Sequence, residues 1–251
     1  MRIGGLASIV VQSGCIVQPD PLSRSMRRPG IHEQLLDIVY PSECAGCGRP
    51  HVSPLCEDCF RQIAHERARE DRCDDLLPQF AFIGLNAAGD YAGTLKDMVL
   101  RLKDSESRMA LPLAALVAAS LGNDPDNMLT RAVCFVPSSR KKIAERGFNP
   151  AELLARRVAA ILGRPVADAL LVAPRMRDQD RTPGAQRWAN ASGAFHAREG
   201  VALGGPVLLV DDVLTTGATA DACSRALLAA GASSVRVAVA ARAVLRRVTP
   251  P

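Results

Sequence analysis

Hydrophobic positions along the chain fall into two patterns. The first is the unbroken aliphatic run, as in "RAVCFVPSS", "PVLLV" at 206–210 and "VRVAVAA" at 235–241. Such runs suit short strands buried on both faces of a parallel sheet. The second has helical spacing. "IHEQLLDIVYPSE" puts Ile31, Leu35 and Ile38 on one face and stops before Pro41. "AGTLKDMVLRLKD" and "RMALPLAALVAASLG" read as helices too. "NPAELLARRVAAILG" carries its own end signals: Asn149 as N-cap, Pro150 in the first turn and Gly163 past the end. From residue 79 on, strand and helix alternate, which predicts an α/β parallel sheet flanked by helices.

Three segments lie outside that alternation. Residues 1–30 lack periodicity and contain Pro19, Pro21 and Pro29, so they are expected to be a disordered leader, with translation starting at Met1 or Met26. Residues 31–75 hold the first helix and a cysteine cluster, and the charged stretch 62–78, ending in Pro78, is the expected boundary to the main domain, 79–251. "RMRDQDRTPGAQRWANASGAF", 175–195, has four arginines and neither period.

Composition narrows the class. Of 251 residues 48% are hydrophobic and only 4% aromatic, so the core is aliphatic. The net charge of +5 admits an anionic ligand without demanding nucleic acid. No stretch approaches the roughly 20 apolar residues of a membrane span. Four of the eight cysteines form "CAGCGRPHVSPLCEDC", with Cys44, Cys47, Cys56 and Cys59 as two C-x-x-C knuckles. That spacing offers zinc four thiolates, and paired disulfides are disfavoured in a chain without a convincing export signal. Cys15, Cys73, Cys134 and Cys223 then read as free thiols in a reducing, cytoplasmic setting, with Cys134 and Cys223 packing in a strand and a helix.

The chemistry concentrates in "PVLLVDDVLTTGATADACSRALLAAGASSVRVAVAAR". A strand over 206–210 leads into Asp211 and Asp212, then into the turn Thr215, Thr216, Gly217, Ala218 and Thr219. The following helix is expected to be capped by Thr219 and ended by Gly231. Loops at the carboxyl ends of parallel strands hold ligands, and amides at a helix N-terminus cradle phosphate. Gly217 lets backbone come close to such a group. Carboxylates repel phosphate but accept hydrogen bonds from vicinal hydroxyls. A ribose 5-phosphate satisfies both halves. Neither G-x-x-x-x-G-K-[ST] nor a G-x-G-x-x-G fingerprint occurs, which sets aside P-loop and dinucleotide readings. "FVPSSRKKIAERGFNP" adds a cationic loop, Arg140, Lys141, Lys142 and Arg146, between a strand and a helix.

"VLLVDDVLTTGAT" resembles the signature of type I phosphoribosyltransferases, which bind phosphoribosyl pyrophosphate (PRPP). With "RGFN" at 146–149 and the knuckles, residues 31–242 are most similar to the ComF family, linked to DNA uptake in competent bacteria. The resemblance implies a type I phosphoribosyltransferase-like fold behind a four-cysteine zinc module. It implies PRPP bound with Mg²⁺, the ribose on Asp211 and Asp212, and its 5-phosphate on the threonine–glycine turn. The pyrophosphate would meet the cations of 140–146, and residues 175–195 would be either a mobile flap that closes over the site or an arginine track for a nucleic-acid phosphate backbone. The implied activity is phosphoribosyl transfer to an unknown acceptor, or PRPP sensing without turnover. Single-stranded DNA and DNA-uptake proteins are the implied partners. Two departures stand out. Thr215 occupies a place where purine-salvage relatives have Asp, and Cys73 stands alone where the family often has a further cysteine pair.

Overall fold

The structure, a computed structural model, describes residues 43–51, 55–67, 79–122, 125–173 and 193–243. The leader, the helix expected over 31–40, Cys73, residues 68–78 of the expected boundary and all but the last three residues of the arginine-rich segment 175–195 lie outside them.

After the cysteine cluster, helix α1 (Glu57–Arg67) runs directly out of the second knuckle. Strand β1 (Gly84–Ala87) leads into α2 (Gly93–Lys103), a 3-10 turn (Ser107–Met109), α3 (Ala110–Leu121) and the short α4 (Pro125–Met128). Then come β2 (Ala132–Phe135), α5 (Arg140–Arg146), α6 (Pro150–Leu162), β3 (Val166–Ala167) and an antiparallel pair, β4 (Leu170–Val172) with β5 (Phe195–Ala197). The chain ends on β6 (Pro206–Leu214), α7 (Ala218–Ala229) and β7 (Ser234–Arg242).

The five remaining strands form one sheet in the order β1-β7-β6-β2-β3, and every pairing in it is parallel. Aliphatic side chains fill both faces: Val207, Leu208, Leu209, Val210, Val235, Val237 and Val239 are all buried. Cys134 and Cys223 join them as packing residues, and burial pushes the Cys134 thiol up to about 12. The cysteine cluster is continuous with this core, since Cys44, Leu55 and Cys56 are buried in the same hydrophobic cluster.

Connectivity locates the site. From β2 the chain passes through α6 to β3 on one side, and from β6 it passes through α7 to β7 on the other. Right-handed crossovers in opposite directions put α6 and α7 on opposite faces of the sheet. The strand order therefore reverses between the neighbours β2 and β6, and a crevice opens at their carboxyl ends, where open α/β sheets bind ligands.

Several local expectations change. The strand holding the acids does not stop at Val210. It runs to Leu214, because Asp211, Val213 and Leu214 continue the ladder with Val239, Ala241 and Arg242 of β7. The cap of α7 is Gly217, in the left-handed region at φ 81°, and Thr219 already lies in the first turn. The cationic segment is a helix rather than a loop. Ser139 caps it by accepting from the Lys142 N–H at 3.4 Å, and left-handed Gly147 ends it. Asn149, Pro150 and Gly163 delimit α6 as expected.

Candidate functional site at the acid pair

Asp211 and Asp212 sit in the carboxyl-terminal half of β6, half-buried, with α2, α5 and α7 around them. The Asp212 N–H donates to Asp211 Oδ1 at 2.8 Å, which holds the first carboxylate against the strand. Lys103, the last residue of α2, places Nζ 3.3 Å from Asp212 Oδ1, with 25% and 16% of the two side chains exposed. Burial, and then the charge of Asp212, push the Asp211 carboxyl up to about 8, against the pull of Lys103 and Lys142. The pair thus behaves as two acids in a poorly solvated place, one of which resists ionising.

The turn that follows is open. Among the described residues, the N–H groups of Thr215, Thr216, Gly217 and Thr219 donate to no partner, while Ala218 N–H leans on Thr216 Oγ1 at a long 3.4 Å. The amides stand at the N-terminus of the twelve-residue helix α7, whose dipole favours an anion there. Gly217 is required for reasons internal to the fold. Its φ is left-handed, and a Cβ there would lie 2.8 Å from the ring of Phe80. Phe80 stacks on Phe82 with centroids 4.6 Å apart. The strap that carries them is pinned by Asp221, whose Oδ1 accepts from the Ala81 N–H at 2.6 Å and whose own N–H donates to the Gly217 carbonyl at 2.8 Å.

The four cations of 140–146 divide. Lys142 lies within electrostatic reach of Asp211. Arg140 and Lys141 are exposed and line a different hollow, a groove of about 790 Å³ between α5 and the β4–β5 pair, floored by Ile143, Leu171, Val172 and Ala173. Among the described residues neither has an ionic partner, and the carboxylates that also line the groove are taken: Asp168 pairs with Arg198 at 3.0 Å and Glu152 with Arg156 at 2.9 Å. Arg146 closes α5, where its carbonyl accepts from Ser105 Oγ at 3.2 Å.

"RGFN" therefore reads as a joint between two helices. Gly147 ends one, Phe148 packs against the core, and buried Asn149 caps the next. Asn149 Oδ1 accepts from Ala151 N–H at 3.1 Å and Ser138 Oγ at 3.0 Å, and its Nδ2 donates to the Val136 carbonyl at 2.9 Å. The same residue thus shapes the chain leaving β2.

Lys103, Phe80 and Asp221 are absent from the residues singled out by sequence. Lys103 ends an amphipathic helix as one basic residue among several, and a helix C-terminus attracts cations for unrelated reasons. Phe80 follows the charged boundary. Asp221 sits two residues beyond the turn motif and is the only one of the three with a positional hint.

At the other end of α2 the four knuckle sulfurs lie within 4.8 Å of one another. Cys47 and Cys56 Sγ are 3.8 Å apart, close to the edge of a thiolate tetrahedron around zinc at about 2.3 Å per bond. Gly46 is needed here, because a Cβ would come 2.6 Å from Cys59 Sγ. Burial raises Cys44, but N–H groups of Cys47, Cys56 and Gly46 outweigh it and bring the thiol to about 6. Burial, then its sulfur neighbours, push Cys59 up to about 12. Four adjacent thiols cannot all ionise alone, and a divalent ion removes that conflict. The donor set fits a thiophilic ion.

Comparison with known proteins agrees with this layout. The phosphoribosyl transferase domain family matches residues 143–248, from α5 through the acid pair and the turn to the end of the sheet. The DNA utilization protein YhgH of Salmonella typhimurium is 30% identical over 78% of this chain and 87% of its own length. YhgH of Escherichia coli O6:H1 is 27% identical over 77% and 87%. Among solved structures, the allosteric regulatory enzyme of purine biosynthesis is similar over 57% of this chain at 21% identity and a TM-score of 0.36, a likeness too low to carry weight. The match spans about a quarter, 26%, of that enzyme chain. With an acid pair and an open amide turn at the switch point of a parallel sheet, and with this degree of shared sequence, the chain belongs to the family of the DNA utilization protein YhgH and carries a phosphoribosyl transferase domain.

Proposed function

We propose that this chain is a ComF-type protein of the cytoplasm that binds PRPP with Mg²⁺ and transfers its phosphoribosyl group to an acceptor. The observation that carries the reading is the unspent turn: the amides of Thr215, Thr216, Gly217 and Thr219, without acceptors among the described residues, shortly after two carboxylates. The turn takes the 5-phosphate, with Thr216 and Thr219 hydroxyls beside it. Asp211 and Asp212 take the ribose hydroxyls and face the positive charge that develops at C1 as the pyrophosphate departs. Lys142, within electrostatic reach of Asp211, is the cation this reading assigns to the departing pyrophosphate. Mg²⁺ brought in with PRPP would neutralise the leaving pyrophosphate, while Asp211 and Asp212 are kept for the ribose. Zinc on Cys44, Cys47, Cys56 and Cys59 is structural in this reading, since four sulfur ligands leave no open position.

The experiment is calorimetric titration of PRPP with Mg²⁺ into the wild type, Asp211→Asn and Asp212→Asn. Above about pH 8, where Asp211 ionises, binding to the wild type and a loss of about tenfold or more in each variant are expected, the scale of one charge-assisted hydrogen bond. A wild type that gives no heat with PRPP defeats the reading. Release of pyrophosphate on addition of nucleobases and amines then separates transfer from binding alone.

A second reading has its own support. The relatives are named for DNA utilization, and Arg140 and Lys141 have no ionic partner among the described residues where they border an apolar-floored groove. In this reading the groove receives single-stranded DNA, and the PRPP site orders or regulates the complex. Oligonucleotide binding across a salt series tests it, and a log–log slope near zero rejects it.

A further inference from the structure

Two carboxylates on consecutive residues of a buried strand end repel one another, and something must hold them in place. Asp211 is held by the backbone, through the Asp212 N–H. Asp212 is held from another element. Lys103 reaches it from α2, and that helix is itself fixed in the core by Leu95, Met98, Val99 and Leu102.

The chain just beyond Lys103 is fixed as well. Ser105 has φ 78°, the one positive φ at a non-glycine residue among the described residues. Strained backbone of this kind persists where surrounding structure over-determines it, and it clusters at functional sites. Ser105 Oγ donates to the carbonyl of Arg146 at 3.2 Å, so the turn after α2 is tied to the end of the cationic helix. Glu106 closes the turn on Arg101 at 2.8 Å and on Arg108 at 3.3 Å. One short segment, Lys103 to Ser105, thereby joins the acid end of the site to the basic helix.

We propose that Lys103 is a positioning residue of the acid pair: its ammonium pins the Asp212 carboxylate, so that the two acids meet a ligand as a preset unit. The charge balance has a full cast. Lys103 faces the pair from α2 and Lys142 from α5, while the buried thiol of Cys223 on α7 lies close enough to sense Asp211 and carries no charge itself. Removing Lys103 leaves Lys142 to draw the Asp211 carboxyl down. The pair must then take up its second charge at higher pH.

The consequence for ligand affinity rests on the PRPP reading above, whereas the electrostatic consequence does not. The test therefore has two arms. In the first, the carboxyl carbons of aspartate-labelled full-length protein are followed by ¹³C NMR across pH, with Asp211→Asn and Asp212→Asn used to assign the pair. Lys103→Met should move the pair's titration upward by about one pH unit, and Lys103→Arg should leave it within a few tenths. In the second, PRPP with Mg²⁺ is titrated into the same variants. Lys103→Met should weaken binding about tenfold, and Lys103→Arg should stay within about threefold. A titration unchanged in Lys103→Met overturns the proposal, whatever PRPP does. A shifted titration with no PRPP binding to the wild type keeps Lys103 in its role and removes PRPP. Lys103→Gln stands in should the methionine variant misfold, and it carries the same expectation.

Discussion

A single carboxyl illustrates how the strand end is tuned. Asp211 is raised to about 8, first by burial and then by Asp212, so the fold favours its protonated form. The stability this contributes is fully present below the ordinary carboxylate range, near 3.8, and is lost as pH rises through about 8. Asn imitates the protonated acid at every pH. The Tm of Asp211→Asn should therefore match the wild type near pH 4 and exceed it increasingly up to pH 8, then level off. A difference that stays constant across that range contradicts the raised carboxyl. The trait that opposes folding at neutral pH is the one that suits binding, because a reluctant pair of acids gains most from a diol or cation. The acids and turn residues were readable as a motif. The raised pKa was not, since it depends on how much water the neighbouring helices exclude.

Helices and strands show how much of the site is held by joints. Asn149 ends one connection and starts the next, through three hydrogen bonds to Ala151, Ser138 and Val136. Asn149→Ala removes an N-cap and orphans a buried carbonyl. It should cost about 2–4 kcal/mol by urea unfolding, and a loss under about 0.5 kcal/mol would show that the joint has no such role. The cap was legible, as were both ends of α6 and the aliphatic strands, because those signals are local. Two elements were not. The strand of the acids was expected to stop at Val210, yet its extension to Leu214 is set by pairing with β7, a partner more than twenty residues later. The cationic segment was expected to be a loop, yet the Ser139 cap and the Gly147 stop turn it into a helix that directs Lys142 to the acids and Arg140 and Lys141 to the groove.

For the whole molecule, the cysteine cluster and the acid pair stand at opposite ends of α2. Gly46, Cys47 and Cys59 border a cleft against Gly93, Thr94 and Leu95 at its start, and Lys103 is its last residue. The cluster also buries Cys44, Leu55 and Cys56 in the common core. Metal loss is thus expected to weaken the domain and not merely an appendage. Purified protein should contain one zinc per chain by elemental analysis. Structural zinc is worth on the order of 10 kcal/mol in small modules. Loss of about 3 kcal/mol of that through chelation would lower the Tm by roughly 6–12 °C. An unchanged Tm after chelation, or protein without metal, speaks against a structural zinc.

What the sequence determined alone was everything carried by neighbours in the chain: aliphatic runs, helix ends, the two knuckles, and the order acid, acid, turn, helix. These follow from local propensity and from chemistry repeated at fixed spacing. What tertiary structure decided was which distant groups meet. The reversal of strand order between β2 and β6 brings Lys142 toward Asp211, and α2 delivers Lys103 to Asp212. Phe80 covers Gly217 by the same route. A lone lysine at a helix end has no local signature of its role, because an ion pair is defined by distance in space and dielectric, and neither is written along the chain.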